Sequence, residues 1–161
     1  MERDKIRLIQ QDYLDDPWKM LVSCICLNRT SNYQVKKILP EIFENYPTHV
    51  DMSQWQKKSV EGKRPLPQII KPLGFMNRRS SILKRFSEDW GNLLKKCRYV
   101  DWWDLKQLTG MGKYAIDSYR IFIEDYHHVN PTDLKLNTYI SENVNESTER
   151  KIWEVPEDYP Q

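Results

Sequence analysis

Residues 108–122, LTGMGKYAIDSYRIF, constrain the fold of this chain more than any other stretch. Two glycines flank one apolar residue, closing one helix-compatible run and opening another. A Gly-Met-Gly turn permits positive φ values and close approach of two helices, and it leaves consecutive backbone N–H groups free for an anion. Upstream, Asp101 is an N-cap for Trp102 to Leu108; downstream, Ala115, Tyr119 and Phe122 recur on one helical face. The spacing predicts a helix, a hairpin and a second helix. An ordinary αα-corner capped by glycine has the same local pattern, so an anion site needs support from elsewhere in the chain.

The remaining segments also read as helices. Ile6 to Leu14 predicts a short first helix, and Asp16-Pro17 is an N-cap followed by a proline at the first helical position, opening a central helix over Trp18 to Leu27. Asn28 to Ser31 breaks the apolar run. Val35, Ile38, Leu39, Ile42 and Phe43 then resume helical spacing, which Pro40 is expected to kink or divide. Lys57 to Pro65 predicts an exposed basic loop. Leu66, Ile69 and Ile70 form a short amphipathic segment that Gly74 ends. Ile82, Leu83, Phe86 and Trp90 supply the buried face of the next helix, with Arg78, Arg79, Lys84 and Arg85 near its start and outside. Asp133 is a natural N-cap for a last helix over Leu134, Leu136 and Tyr139. The tail, with Ile152, Trp153 and Val155, has the apolar content to dock on the core. No strand system or tandem repeat is visible.

At 161 residues and 39% hydrophobic, the chain predicts one compact all-α domain over 1–161. Its charged start and the lack of an 18-residue apolar run point away from secretion and membranes. Cys24, Cys26 and Cys97 are odd in number and lack paired CxxC motifs, which argues against a disulfide framework and against zinc or iron–sulfur ligation. His127 and His128 have no third convergent ligand and read as loop histidines. Net charge is only +2, yet residues 56–98 carry twelve basic side chains against three acidic ones. Such a stretch suits a nucleic-acid backbone; dispersed over helices, it also serves solubility.

Four segments carry a resemblance: LIQQDYLDDPWKMLVSCICLNRTS at 8–31, IIKPLGF at 69–75, LTGMGKYAIDSYRIF at 108–122 and VNPTDLKLNTY at 129–139. In this order and spacing the chain resembles the helix-hairpin-helix DNA base-excision glycosylases, especially the catalytic domains of the methyl-CpG-binding mismatch-specific thymine/uracil glycosylases. The resemblance covers residues 8–139, leaving 140–161 as a C-terminal extension. No methyl-CpG-binding domain is visible in these residues.

The resemblance implies a role for each of several residues. Asp133 corresponds to the essential aspartate, which activates water or stabilises positive charge on the sugar as the base leaves. Tyr114 stands where members that also cut the backbone carry a nucleophilic lysine, so base release without lyase chemistry is expected. Gln10 and Tyr114 are implied to border the extruded pyrimidine, the glutamine reading a uracil-like edge. Arg29 is implied to fill the space the nucleotide vacates. Phe75, in place of the expected leucine, is implied to wedge beside the opposite base. Gly110, Met111, Gly112 and Lys113 are expected on the phosphates, and the backbone of 108–113 to hold a Na+ or K+ ion bridging to phosphate. The family's iron–sulfur variant needs a C-terminal cysteine cluster that this sequence lacks.

The implied function is a monofunctional glycosylase releasing thymine or uracil opposite guanine, at CpG sites among others, acting as a nuclear monomer on double-stranded DNA. The other reading is an inactive DNA-binding or repair-scaffold domain that keeps the hairpin's phosphate contacts.

Overall fold

The computed structural model describes residues 4–57 and 62–161. The expected basic loop therefore falls partly, at 58–61, outside the described residues. The core is built on α1 (Pro17–Leu27), which Asp16 opens by accepting from the Trp18 and Lys19 amides. Apolar side chains ring this helix on every side, so it can only be stable with neighbours all round. It is packed by α2 (Asn32–Asn45), α5 (Met76–Lys96), α7 (Lys113–Phe122) and a 3-10 turn at Ile9–Tyr13. Two short helices, α3 (His49–Ser53) and α4 (Leu66–Ile70), pack on α5.

The expected first helix is only that 3-10 turn. Leu8 stays extended, receives Gln11 in a reciprocal cap, and starts the turn so late that Pro17 leaves no room for a longer helix. Pro40, conversely, does not divide α2. It lies on the exposed side, while Val35, Ile38, Leu39 and Ile42 hold both halves of the helix against the core. Their burial offsets the roughly 3 kcal/mol penalty of an interior proline. The helix expected to bury Ile82, Leu83, Phe86 and Trp90 starts directly after Phe75 and runs to Lys96.

Asp101 caps α6 (Trp102–Leu105), a shorter helix than expected. The hairpin then delivers α7, whose Ala115 and Tyr119 enter the main core. Phe122, expected on that same face, instead joins a small second cluster. There Leu8, Ile121 and Leu136 are buried, and Phe122 packs on Tyr139 with ring centroids 4.7 Å apart. This cluster fastens α8 (Leu134–Glu142) to the rear of α7 and so sets one wall of a cleft.

The chain does contain strands, though minimal ones. β1 (Tyr99–Val100) pairs antiparallel with β2 (Trp153–Glu154), Val100 opposite Trp153. Two-residue strands have no alternation for a sequence reading to detect. They belong to a tail that straps the core: Tyr159 stacks on His49, packs edge-on against Trp153 and donates its hydroxyl to Asp16 at 3.1 Å. Arg150 bridges Asp101 at 3.0 Å and the fully buried Glu124 at 3.4 Å. Among the described residues, no helix is long and apolar enough to cross a membrane.

Candidate nucleic-acid interface and active site

A cleft of about 720 Å³ opens where the C-terminal end of α1, the hairpin and the N-terminal end of α8 converge. Arg29, Gly110, Gly112, Lys113, Tyr114 and Asp133 all line it, which unites residues from three of the segments singled out in the sequence. Four cationic side chains, Arg29, Arg79, Lys113 and Lys135, share the cleft with one carboxylate, Asp133, among the described residues.

Asp133 caps α8 by accepting from the Leu136 amide at 2.9 Å. The cap uses one carboxylate oxygen, Oδ2, at the N-terminus of the helix. The carboxylate is half-buried, and its neighbours Leu134 and Lys135 are exposed at the rim.

Tyr114 sits at the start of α7, facing the cleft. Gln10 lies behind it, not on the cleft wall, and is only 1% exposed. Its amide nitrogen donates to the Tyr114 hydroxyl at 2.8 Å and to Ser118 Oγ at 3.2 Å, so both amide hydrogens are engaged inside the protein. From its local pattern alone Gln10 reads as a surface residue; its burial is a feature of the packing between the 3-10 turn and α7. Cys24, at the inner end of the same cleft, is free and buried, and desolvation pushes its thiol up to about 12. Burial, with the Cys24 and Asp133 charges adding to it, also raises Tyr114 above the ordinary phenol range, so its hydroxyl keeps its proton.

Three features of the hairpin add to the expectation. Only Gly110 has positive φ, at 82°, whereas Gly112 is extended and begins α7. A Cβ on Gly110 would lie 3.1 Å from Ile25 and from Ile82, so this glycine permits the close approach of the turn to α1 and α5. The Met111 side chain is buried in the core and leaves only its backbone for a phosphate. Lys113 donates to the buried Asp117 at 2.8 Å, so its charge is already partnered before any phosphate arrives. The Thr109 amide is tied to Asp89 at 2.8 Å. Among the described residues, the carbonyls of Thr109, Gly110 and Met111 accept no backbone hydrogen bond, a donor set that suits a hard monovalent cation.

Arg29 is exposed, with φ 59°, and occupies the turn between α1 and α2. It does not cap α1. Phe75 is 69% exposed with φ 50°, next to Gly74 at φ 80°; it lies outside the cleft lining and outside the core. Arg79, expected on the outside of α5, is buried instead and reaches the end of α1. Its position was readable: Arg79, Leu83, Phe86 and Trp90 lie on one face at helical spacing. Elsewhere in the basic stretch, Lys63, Arg64, Lys84 and Arg98 pair with Asp51, Glu41, Glu88 and Glu154, so part of that charge is compensated within the fold. His127 is held by the Asn143 carbonyl at 2.9 Å.

Fold and cleft together define a mostly helical domain with a helix-hairpin-helix element at the cleft edge. No protein-family model matches the chain. It is 32% identical over 138 residues to a methyl-CpG-binding domain protein 4-like protein of Arabidopsis thaliana, covering 85% of this chain and 28% of that protein. It is 31% identical over 100 residues to a thymine/uracil-DNA glycosylase of Pyrobaculum aerophilum, covering 62% of this chain and 41% of that one. A solved thermostable thymine-DNA glycosylase superposes with a TM-score of 0.61 at 26% identity, over 74% of this chain and 52% of the other. The chain belongs to the helix-hairpin-helix superfamily of DNA glycosylases. It spans less than half the length of either curated relative.

Proposed function

We propose that this chain is a monofunctional DNA glycosylase that hydrolyses the N-glycosidic bond of thymine or uracil opposite guanine, in CpG context among others, and acts in the nucleus as a monomer. The observation that carries the reading is Asp133, among the described residues the one carboxylate in a cationic cleft that also holds the hairpin, Tyr114 and Arg29.

Cleavage of the N-glycosidic bond builds positive charge at C1′ of the sugar. A carboxylate within the cleft stabilises that charge and orients the attacking water, while Lys113 and Lys135 at the cleft hold the phosphates on either side. Extruding a nucleotide costs a few kcal/mol, and less at a mispair, which favours G:T and G:U over normal pairs. Arg29 takes the vacated space, and the exposed Phe75 stacks beside the opposite base. Tyr114 has no amine for a Schiff base, and the neighbouring Lys113 is engaged by Asp117. The product is therefore a free base and an intact abasic strand. The carbonyls of Thr109, Gly110 and Met111 would hold a Na+ or K+ ion, which would supply positive charge for positioning DNA and would take no part in hydrolysis.

The test is a base-release panel: duplexes with uracil, thymine or 5-substituted uracils opposite guanine or adenine, inside and outside CpG. Strand cleavage is expected only after alkali, and for guanine-paired substrates first. Tight duplex binding without release from any of them would instead establish a DNA-binding scaffold.

A further inference from the structure

The turn that presents Arg29 is not held by its own sequence. Asn28 is extended, Arg29 is left-handed at φ 59°, and α2 begins only at Asn32. Local bonds across it are long, Asn28 N–H to Ile25 O at 3.4 Å, Thr30 N–H to Leu27 O at 3.2 Å and Thr30 Oγ1 to Asn28 O at 3.4 Å, and the same Thr30 hydroxyl reaches the distant Leu73 carbonyl at no less than 3.4 Å. A non-glycine residue with positive φ relaxes towards the helical or extended regions unless its surroundings prevent it.

One side chain from outside supplies the strong contacts. Arg79, in the first turn of α5, is 7% exposed and sends Nη1 to the Cys26 carbonyl at 2.8 Å and Nη2 to the Asn28 carbonyl. These carbonyls, at the C-terminal end of α1, carry the partial negative charge of the helix end and lack intrahelical partners. Among the described residues, Arg79 has no carboxylate within ion-pair distance, so its guanidinium is committed to this end of α1. The planar fork spans Cys26 and Asn28 at once, which a single ammonium cannot reproduce.

We propose that Arg79 is the positioning residue for Arg29, clamping the end of α1 from α5 so that the left-handed turn presents Arg29 to the duplex. This rests on the glycosylase reading for its catalytic arm only. Arg79 follows Phe75, the N-cap of α5, by four residues and donates its amide to the Phe75 carbonyl at 2.9 Å, so one helix and its cap carry the wedge residue and anchor the turn bearing the other duplex-opening residue.

The experiment compares wild type, Arg79→Lys, Arg29→Ala and the double variant. Single-turnover base release is measured from a G:U duplex and from a uracil-containing single strand. Hydrogen exchange of the Asn28, Arg29, Thr30 and Ser31 amides is followed without DNA. Arg79→Lys is expected to slow duplex release by about 10- to 100-fold. It should leave single-strand release within a few-fold, because no vacated space then needs filling, and should add nothing in the Arg29→Ala background. Exchange at 28–31 should rise while the core amides of α1 and α5 keep their protection. Losses that multiply in the double variant, equal losses on duplex and single strand, or unchanged exchange at 28–31 would overturn the clamp. If the lysine variant folds poorly, Arg79→Met, which retains the apolar stem, gives the same comparison. A wild-type protein that releases no base sinks the glycosylase reading, and the exchange arm still decides the clamp.

Discussion

Gln10 and Tyr114, 104 residues apart in sequence, are joined by a 2.8 Å hydrogen bond from the glutamine amide to the phenol oxygen. The second amide hydrogen goes to Ser118. The cleft therefore meets Tyr114 itself, with Gln10 fixing that ring from behind. Tyr114→Phe strands a buried donor, a cost of about 1–3 kcal/mol. A thermal midpoint lower by several degrees is expected, with partial recovery when Gln10→Leu is added. If the two substitutions cost independent amounts, the pair is not coupled.

Asp133 caps α8 and, in the proposed function, carries the chemistry, and substitution can separate the two. Asparagine caps a helix about as well as aspartate, whereas alanine does not. Asp133→Asn should keep the wild-type midpoint and bind a G:U duplex within a few-fold, yet lose base release by at least about 100-fold. Asp133→Ala should lose the same activity and, in addition, about 1 kcal/mol of stability. Comparable release by wild type and Asp133→Asn would remove the carboxylate from the mechanism.

The two hairpin glycines should respond in opposite ways. Gly110→Ala places a Cβ 3.1 Å from Ile25 and Ile82 at φ 82°, so a loss of about 2–4 kcal/mol in denaturant unfolding is expected. At Gly112 a Cβ meets nothing within 4 Å and φ is ordinary, so Gly112→Ala should leave stability within about 0.5 kcal/mol. It should still weaken duplex binding, since the methyl group occupies space through which a phosphate would approach the turn. Undiminished binding by the stable Gly112→Ala protein would take that amide out of the phosphate site.

Sequence carried the elements whose signals are local. The Asp16-Pro17 start, the glycine hairpin and the Asp133 cap each lie within a few residues of what they determine. What it did not carry depends on segments far apart. Tyr159 reaches Asp16 and His49, Gln10 is buried by α7, and β1 finds β2 some fifty residues later. Pro40 sits inside an unbroken α2 because its penalty is local while the packing that offsets it is tertiary. Arg79 lies between these cases: periodicity put it on the apolar face, but its charge argued for solvent, and only the carbonyls at the end of α1 resolve the conflict.

His49 supplies a pH dependence of known sign. It is 3% exposed on α3, stacks on Tyr159 and lies against Gly91; among the described residues its Nδ1 has no hydrogen-bond partner. Burial lowers its pKa from 6.5 to about 4, with Lys95 lowering and Asp51 opposing. The unfolded ring thus takes up a proton near pH 6.5 while the folded one resists until about 4. This contribution to stability is intact above pH 6.5 and is lost as pH falls towards 4. From pH 7.5 to 5 the loss should be at most about 2 kcal/mol, or several degrees in thermal midpoint. Asp16 and Glu124, whose carboxyls burial raises, act in the opposite direction, so the informative quantity is a difference between proteins. His49→Phe keeps an aromatic ring against Tyr159 without a titrating nitrogen. Its midpoint should fall less than that of wild type between pH 7.5 and 5, and parallel curves would show that His49 is not the residue responsible.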